Sequence, residues 1–476
     1  MNRIGMISAG ITMVLGMFVS AADTFRAGAA KGNITPYLGE AIIGGWNHPP
    51  ATHVHDDLWV KCLVLDNGKM RVAFVVCDLL GISSTVSDEA RRLLEKETGM
   101  PASNILVSAV HTHSATCAIG DRYNLTPELD DYQKFVVRRI ADAVRCAINN
   151  LEPARIGWAT ASVPQHVFCR RWFMKPGTMP MNPFGSTNDL VKMNPPNGSA
   201  NLDRPAGPTD PQVCLVAVKS LEGRPIGLLS NYSLHYVGGV RHGDISADYY
   251  GMFDDRMRQL LDADHQNPPF VAMMSNGTSG NINNVDYSKK REKTPPYARM
   301  REVADDVAQA VHEAYQTIQW HDSVPLGVSF EKIDLQLRHP TPEQLEWAKG
   351  VIAKLDSNVK PNVMEKTYVD RVLKTTTLPE RWEFPLQTFR IGEVGIATFP
   401  TEVFSEIGLD LKARSPFKPT FIVSLAHGYF GYLPTVEQHK LGGYETWLGT
   451  SRLEVEAAPK MIEQLLGMLT RLQKGE

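Results

Sequence analysis

Apolar positions along the chain alternate between the two-residue rhythm of strands and the three-to-four-residue rhythm of helices, and the changes of rhythm mark its elements. Leu58 to Leu65 and Val72 to Leu80 are β-branched runs on either side of Asp66-Asn67-Gly68-Lys69, where Asn67-Gly68 is a strong hairpin signal. Ser83 to Glu97 has helical spacing behind a serine start and is stopped by Met100-Pro101. Ile105 to Val110 is the next strand. Thr126 to Leu151 reads as a long amphipathic helix with Pro127 in its first turn. Ala154 to Val163, Gln212 to Lys219 and Ile226 to Leu234 are strands, and the Pro, Met and Asn-rich stretch from Met174 to Pro208 reads as a long surface loop.

In the second half, helices are expected at Asp248 to Ala263, Pro296 to Ile318, between Thr341 and Leu373, at Val403 to Ala413, and from Arg452 to Leu472. Strands are expected at Phe270 to Met274, Val324 to Leu337 and Thr420 to Ala426, and Phe384 to Arg390 with Val394 to Phe399 makes a second hairpin around Gly392. Strands and helices alternate with hairpins interspersed, and no repeat, charge run or linker cuts the chain. The pattern predicts an α/β fold: a single large domain with a mixed β-sheet flanked by helices.

Composition changes this picture little. The 476 residues are 43% apolar and 21% charged, enough for a substantial core. A net charge of −3 shows no basic surplus, which sets nucleic acid aside as a partner. The N-terminus adds more. Arg3, the apolar stretch Ile4 to Val19 and then Val19-Ser20-Ala21 have the form of an export signal, so residues 1–21 are expected to be removed and 22–476 to form the catalytic domain. The protein is then periplasmic or secreted, without a transmembrane span but with possible peripheral membrane contact. In that setting Cys62, Cys77, Cys117, Cys146, Cys169 and Cys214 are either packing residues or disulfides; none stands in a C-x-x-C pair.

Candidate chemistry lies where strands end. Four apolar runs lead into polar residues of metal-ligand type: Val110 into His111, Leu234 into His235, Phe399 into Glu402, and Leu425 into Tyr432. Functional groups of open α/β sheets gather beyond the carboxyl ends of strands, and two imidazoles, a carboxylate and a phenol suit zinc with a position left for water. In an extended strand His111 and His113 face one side while Thr112 faces the other, which makes both imidazoles candidate ligands. His53-Val54-His55-Asp56-Asp57 is a rival cluster that reads better as a solvated strand entry whose carboxylates hold the histidines. His242 and Asp244 are ambiguous, and the glycines of Asn276 to Asn284 read as a tight turn before they read as an anion nest.

Four stretches carry a resemblance: Ala27-Gly-Ala-Ala-Lys-Gly-Asn-Ile-Thr-Pro36, His111-Thr-His-Ser114, the strand ending at His235, and Tyr429-Phe-Gly-Tyr-Leu-Pro-Thr435 with Gly443-Tyr-Glu445. In content and order they resemble the neutral/alkaline, non-lysosomal ceramidase family, with Tyr432 and Tyr444 reproducing the spacing of two functional tyrosines. The resemblance implies a zinc amidase that splits an N-acylsphingosine or related N-acyl compound through a zinc-activated water. It implies His111, His235, Glu402 and Tyr432 as zinc ligands, and His113, Arg170 and Tyr444 in contact with the scissile amide or the product carboxylate. Here the resemblance uses only the first histidine of the pair as a ligand, and Arg171 stands beside Arg170 as an alternative register.

Two departures shape the substrate expectation. Where ceramidases carry G-D-V-S-P-N this chain has Gly280-Asn-Ile-Asn-Asn-Val285, which puts Asn283 at the family's serine and makes it a candidate substrate-binding residue. The chain is also expected to lack the small C-terminal β-domain of true ceramidases. Rival readings are a zinc hydrolase of N-acyl or O-acyl sugars and a non-catalytic binding protein on the same scaffold.

Overall fold

A computed structural model describes residues 24–116, 118–357 and 363–476. Its largest element is an eight-stranded sheet built from β1 (Arg26–Asn33), β2 (Trp59–Asp66), β3 (Arg71–Cys77), β4 (Ile105–Ala109), β5 (Glu152–Ser162), β6 (Gln212–Ser220), β7 (Pro225–Tyr232) and β8 (Val271–Asn276). The strands lie in the order β8-β7-β6-β5-β1-β2-β3-β4. The interior pairs are antiparallel, whereas β3 with β4 and β7 with β8 are parallel, so both edges of the sheet end in a parallel pair. A second sheet holds β9 (Leu326–Gln336), β10 (Arg381–Ile391), β11 (Val394–Thr398) and β12 (Thr420–Val423) in that order, with β11 and β12 parallel. The mixed α/β architecture is the one the hydrophobic pattern predicts.

Helices cover the sheets where their apolar faces require it. Ser84–Thr98 and Asp131–Asn149 bury a shared core of Val86, Leu94, Val136, Ile140 and Val144 with Val60, Val64 and Val75. Asp248–Leu260 and Ala298–Tyr315 cover β8 and β6 through Phe253, Met257, Val303 and Val307. Ala457–Lys474 lies over β9 and β10. The Ser83 side chain accepts from Val86 N and Gly99 closes the same helix at φ 71°, so the expected start and stop hold within a residue.

Four expectations change. The second helix starts at Asp131 instead of Thr126, because Asp130 and Gln133 form a capping box that fixes the first turn there. The Met174 to Pro208 stretch is not a bare loop: Val191–Met193 and Leu202–Pro205 pair with the two sides of Arg171–Met174 in a three-stranded sheet. The last helix starts at Ala457, since Arg452 is buried and its guanidinium donates to the carbonyls of Arg122 and Tyr429. Cys62, Cys77, Cys146, Cys169 and Cys214 are free thiols, which removes the disulfide alternative for those five; Cys117 and the export segment lie outside the described residues.

The strand ends meet because one segment joins the two sheet edges. Beyond β12, Ala109 N donates to Leu425 O and His427 N to Val107 O on one edge, while Ser424 N donates to Asn276 O on the other. Asn276 Nδ2 in turn donates to Val110 O at 2.8 Å, tying β8 to the end of β4 directly. The left-handed backbone at Leu425 and His427, φ 56° and 60°, makes this double pairing possible.

Candidate active site

His111 does not continue its strand. β4 ends at Ala109, and His111 takes φ 77° while its N–H bonds to Leu79 O at 2.9 Å. A non-glycine residue held there is strained, and such strain gathers at functional sites. The turn replaces the extended geometry expected from sequence, yet it brings the two rings together: His111 Nε2 and His113 Nε2 are 3.2 Å apart. Thr112 points away and donates to Ser246 O at 2.8 Å. Gly44 lets the loop of residues 43–46 close over His113, where a Cβ would lie 2.8 Å from the histidine side chain.

The hydrogen bonds of the histidines fix their tautomers. His111 Nδ1 lies 2.7 Å from Leu80 O and His235 Nδ1 lies 3.0 Å from Ser279 O. A carbonyl only accepts, so each Nδ1 carries the proton and each Nε2 presents a lone pair. Asp78 steadies the segment that carries Leu80: it is buried, accepts from Trp59 N at 3.0 Å and pairs with Lys61 at 3.0 Å. Ser279 precedes the turn at Gly280, and Asp248 holds the loop after His235 by accepting from Val237 N and Gly238 N, both at 2.9 Å.

Glu402 and Tyr432 arrive together. Glu402–Val403 and Tyr432–Leu433 pair in parallel, with Glu402 opposite Tyr432. Glu402 Oε1 accepts from the Tyr429 hydroxyl at 2.7 Å. Its Oε2 is buried without a hydrogen-bond partner among the described residues, 3.3 Å from His111 Nε2 and 3.9 Å from His235 Nε2. Burial alone would push this carboxyl up, but the positive surroundings, with Arg170 as the permanent charge, outweigh it and hold Glu402 ionised well below the usual carboxylate range. Burial, reinforced by Arg170 at His235 and by His111 at His113, holds both of those rings well below the ordinary histidine pKa and keeps them neutral.

Lone pairs of imidazoles facing one another and a carboxylate oxygen repel unless a cation lies between them. Donors about 2.0–2.1 Å from a tetrahedral zinc stand about 3.3 Å apart, the separation of His111 from Glu402. The residues present therefore fit a zinc ion. His111, His113 and His235 form a compact triad with their donor atoms within 4.8 Å of one another, so geometry alone admits His113 as a third candidate imidazole donor.

Arg170 rather than Arg171 faces this centre. Arg170 Nη1 is 3.5 Å from His235 Nε2, its Nε donates to Glu445 Oε1 at 3.0 Å, and its Nη2 is buried without a hydrogen-bond partner among the described residues. Arg171 is engaged by Glu445 Oε2, Gln438 Oε1 and Gly442 O and serves as structure. Tyr444 stands at the same cavity with its ring centroid 5.9 Å from that of Tyr432.

Asn283 is not at this centre. It lines a neighbouring cavity of about 630 Å³, where its amide donates to Tyr287 OH at 3.1 Å; Asn194 and Tyr236 line both cavities. The rival histidine cluster is also elsewhere: His55 Nδ1 meets Asp56 at 2.7 Å and its ring stacks on Tyr297.

Sequence reasoning missed Tyr429, which orients Glu402, and Tyr236, whose ring stacks on His113 at 3.7 Å. It also passed over Trp46, Arg122 and Arg371, which line the cavity of about 240 Å³ around the histidines. Tyr429 had a signal, since it stands in the same short run as Tyr432.

The family model for the neutral/alkaline non-lysosomal ceramidase N-terminal region matches residues 25–294. The chain belongs to that family. Membership makes it a ceramidase-like hydrolase. Two solved structures share the fold: neutral ceramidase from Pseudomonas aeruginosa, with TM-score 0.67, and a ceramidase complexed with C2, with TM-score 0.68. Each is 17% identical, and each alignment covers 95% of this chain and 75% of the other. The ceramidase match ends before Glu402, Tyr432 and Tyr444, so the later half of the site is supplied by residues outside the matched region.

Proposed function

We propose that this protein is an exported zinc-dependent amidohydrolase that splits the amide of an N-acyl lipid or related N-acyl compound. The observation that carries the reading is the partnerless Glu402 Oε2 facing the Nε2 lone pairs of His111 and His235. His111, His235, Glu402 and Tyr432 hold the zinc. When bound, zinc polarises the acyl carbonyl and activates the attacking water.

The chain's own groups do the rest. Neutral His113 takes a proton from the water and returns it to the departing nitrogen as the C–N bond breaks, leaving an amine and a carboxylate. The Tyr444 hydroxyl and Arg170 Nη2 stabilise the oxygen that becomes negative. Tyr429 keeps Glu402 turned with one oxygen toward the histidines. An adjoining cavity of about 570 Å³, lined by Trp46, Met179, Met181, Met364 and Trp447, offers an apolar place for an acyl chain. Asn283 acts from the third cavity on substrate choice. Export is supported by Arg3, the apolar run and Val19-Ser20-Ala21, and among the described residues no helix is long and apolar enough to cross a membrane.

Zinc analysis of purified protein together with turnover of a panel of N-acyl substrates tests this reading. Near one zinc per chain and release of free acid from at least one amide are expected, with Asn283→Ser changing the ranking among the amides. Absence of zinc, or a fully metallated protein inert toward every amide, would overturn it.

A further inference from the structure

The cavity around the histidines carries more positive charge than hydrolysis of a neutral amide needs. Among the described residues its lining includes three guanidiniums, those of Arg122, Arg170 and Arg371, against a single carboxylate, Glu402, which is turned to the histidines. Arg170 has Glu445 behind it. Arg122 and Arg371 have no carboxylate partner among the described residues. Arg371 is 8% exposed and donates through Nη1 to Tyr368 OH at 3.1 Å and Thr450 Oγ1 at 2.7 Å, both uncharged. Its guanidinium also lies 5.8 Å from the Trp46 ring centroid and 6.0 Å from that of Tyr444. Arg122 is exposed at the cavity, 5.9 Å from the Tyr429 ring centroid, and its guanidinium makes no hydrogen bond within the described protein. The two arginines are near enough to repel each other.

Aromatic faces and neutral hydroxyls offset only part of the cost of desolvating the Arg371 guanidinium, and the like charge of Arg122 beside it adds to that cost unless something negative joins them. Arginine pairs of this kind recognise planar or tetrahedral oxyanions by charge-assisted hydrogen bonds. Arg371 stands beside Trp46 and Tyr444 and Arg122 beside Tyr429, in the cavity that also holds the groups proposed to handle the amide. We infer that the natural substrate is an N-acyl compound bearing an acidic group, a carboxylate or a phosphate, close to its amide, and that Arg122 and Arg371 bind that group. The inference rests on the amidase reading of the same cavity. A neutral N-acyl alcohol would leave both arginines unpaired.

Matched substrates test it on the full chain. N-hexanoylglycine against N-hexanoylglycinamide isolates a carboxylate, and N-hexanoylethanolamine phosphate against N-hexanoylethanolamine isolates a phosphate. In at least one pair the acidic member should have the higher kcat/KM, by roughly 10- to 100-fold, as one or two charge-assisted hydrogen bonds give. Arg371→Gln and Arg122→Gln should each lower that preference about ten-fold, mainly through KM, and Arg371→Lys should restore part of it. Arg122→Gln changes an exposed side chain, so it keeps the test decisive if Arg371→Gln fails to fold. Equal kcat/KM within both pairs, or a preference that survives in the folded variants, overturns the inference. Titration calorimetry with the same four compounds separates it from the amidase reading. If nothing is cleaved, tighter binding of an acidic member that depends on Arg122 or Arg371 upholds the anion site while the amidase reading falls, and equal binding overturns the anion site.

Discussion

Two segments of this chain read H-x-H, and among the described residues only one of them lies in a cluster that could hold a metal. At His53-Val54-His55 each polar group finds a local answer: His55 meets Asp56, and Asp56 also accepts from Ser246 Oγ and Ala247 N at 2.7 and 2.6 Å. His53 sits in a two-residue strand beside Asp244, open to solvent. At His111-Thr112-His113 a backbone carbonyl takes one nitrogen of His111 and the other is left facing His113 Nε2 and Glu402 Oε2. His427 makes a third case. It is fully enclosed like His111, but Ser87 Oγ at 3.2 Å and Gln387 Oε1 at 2.6 Å engage both of its nitrogens. Burial and residue type are shared; the unmet lone pair is what makes His111 a candidate ligand and leaves His427 a packed ring.

The comparison breaks most sharply at the metal. His111→Ala and His235→Ala should each bring zinc from near one per chain to near none, while His55→Ala leaves the content unchanged. Elemental analysis of the three variants checks this, and zinc lost from His55→Ala would mean that the rival cluster holds it. His113→Ala and Tyr444→Phe should keep zinc and lose on the order of 10² to 10³ in kcat. Zinc lost with His113→Ala would instead make that ring a fifth donor, as its 3.2 Å approach to His111 permits.

A smaller effect is expected behind the ligands. Tyr429→Phe removes the hydrogen bond that Glu402 Oε1 accepts, and competition with a chelator should show zinc affinity weaker by about 10- to 100-fold. The smallest concerns His427. Burial first, and then Arg91, hold its pKa well below the ordinary value, so below pH ~6.5 the unfolded chain binds a proton that the folded one refuses. Stability therefore falls as pH drops through that window, and His427→Gln should flatten the slope by up to ~1.4 kcal/mol per pH unit without touching zinc. Unfolding by denaturant between pH 7 and 5 measures it.

Much of this was legible in the chain itself. The apolar runs that lead toward His111, His235, Glu402 and Tyr432 are strands of the fold, but Glu402 and Tyr432 themselves lie on two-residue strands, and Arg170 stands between two short strands, that no apolar run marked. What stayed hidden depends on partners far away in sequence. The φ of His111 follows from Leu79 and Leu80, not from its own strand. The choice of Arg170 over Arg171 depends on which side of Glu445 each occupies. Arg371 lies in a helix whose spacing says only that one face is apolar; its place beside Trp46 is set by tertiary packing. The strands inside Met174 to Pro208 are short and polar, and pairing with Arg171–Met174 organises them more than their own composition does.

The segment Ser424 to His427, which stitches both edges of the large sheet, also governs when the centre can exist. His111 and His235 follow strands of the large sheet, whereas Glu402 and Tyr432 follow strands of the second sheet, so the cluster is complete only where that seam holds the two sheets together. A chain with only its first sheet formed has imidazoles and no carboxylate beside them. Long-range closure of this kind is slow to form, and an ion held by donors from both sides would act as a rivet across the seam. Its effect would then appear in how rarely the two edges part, a property of the unfolding rate more than of the equilibrium.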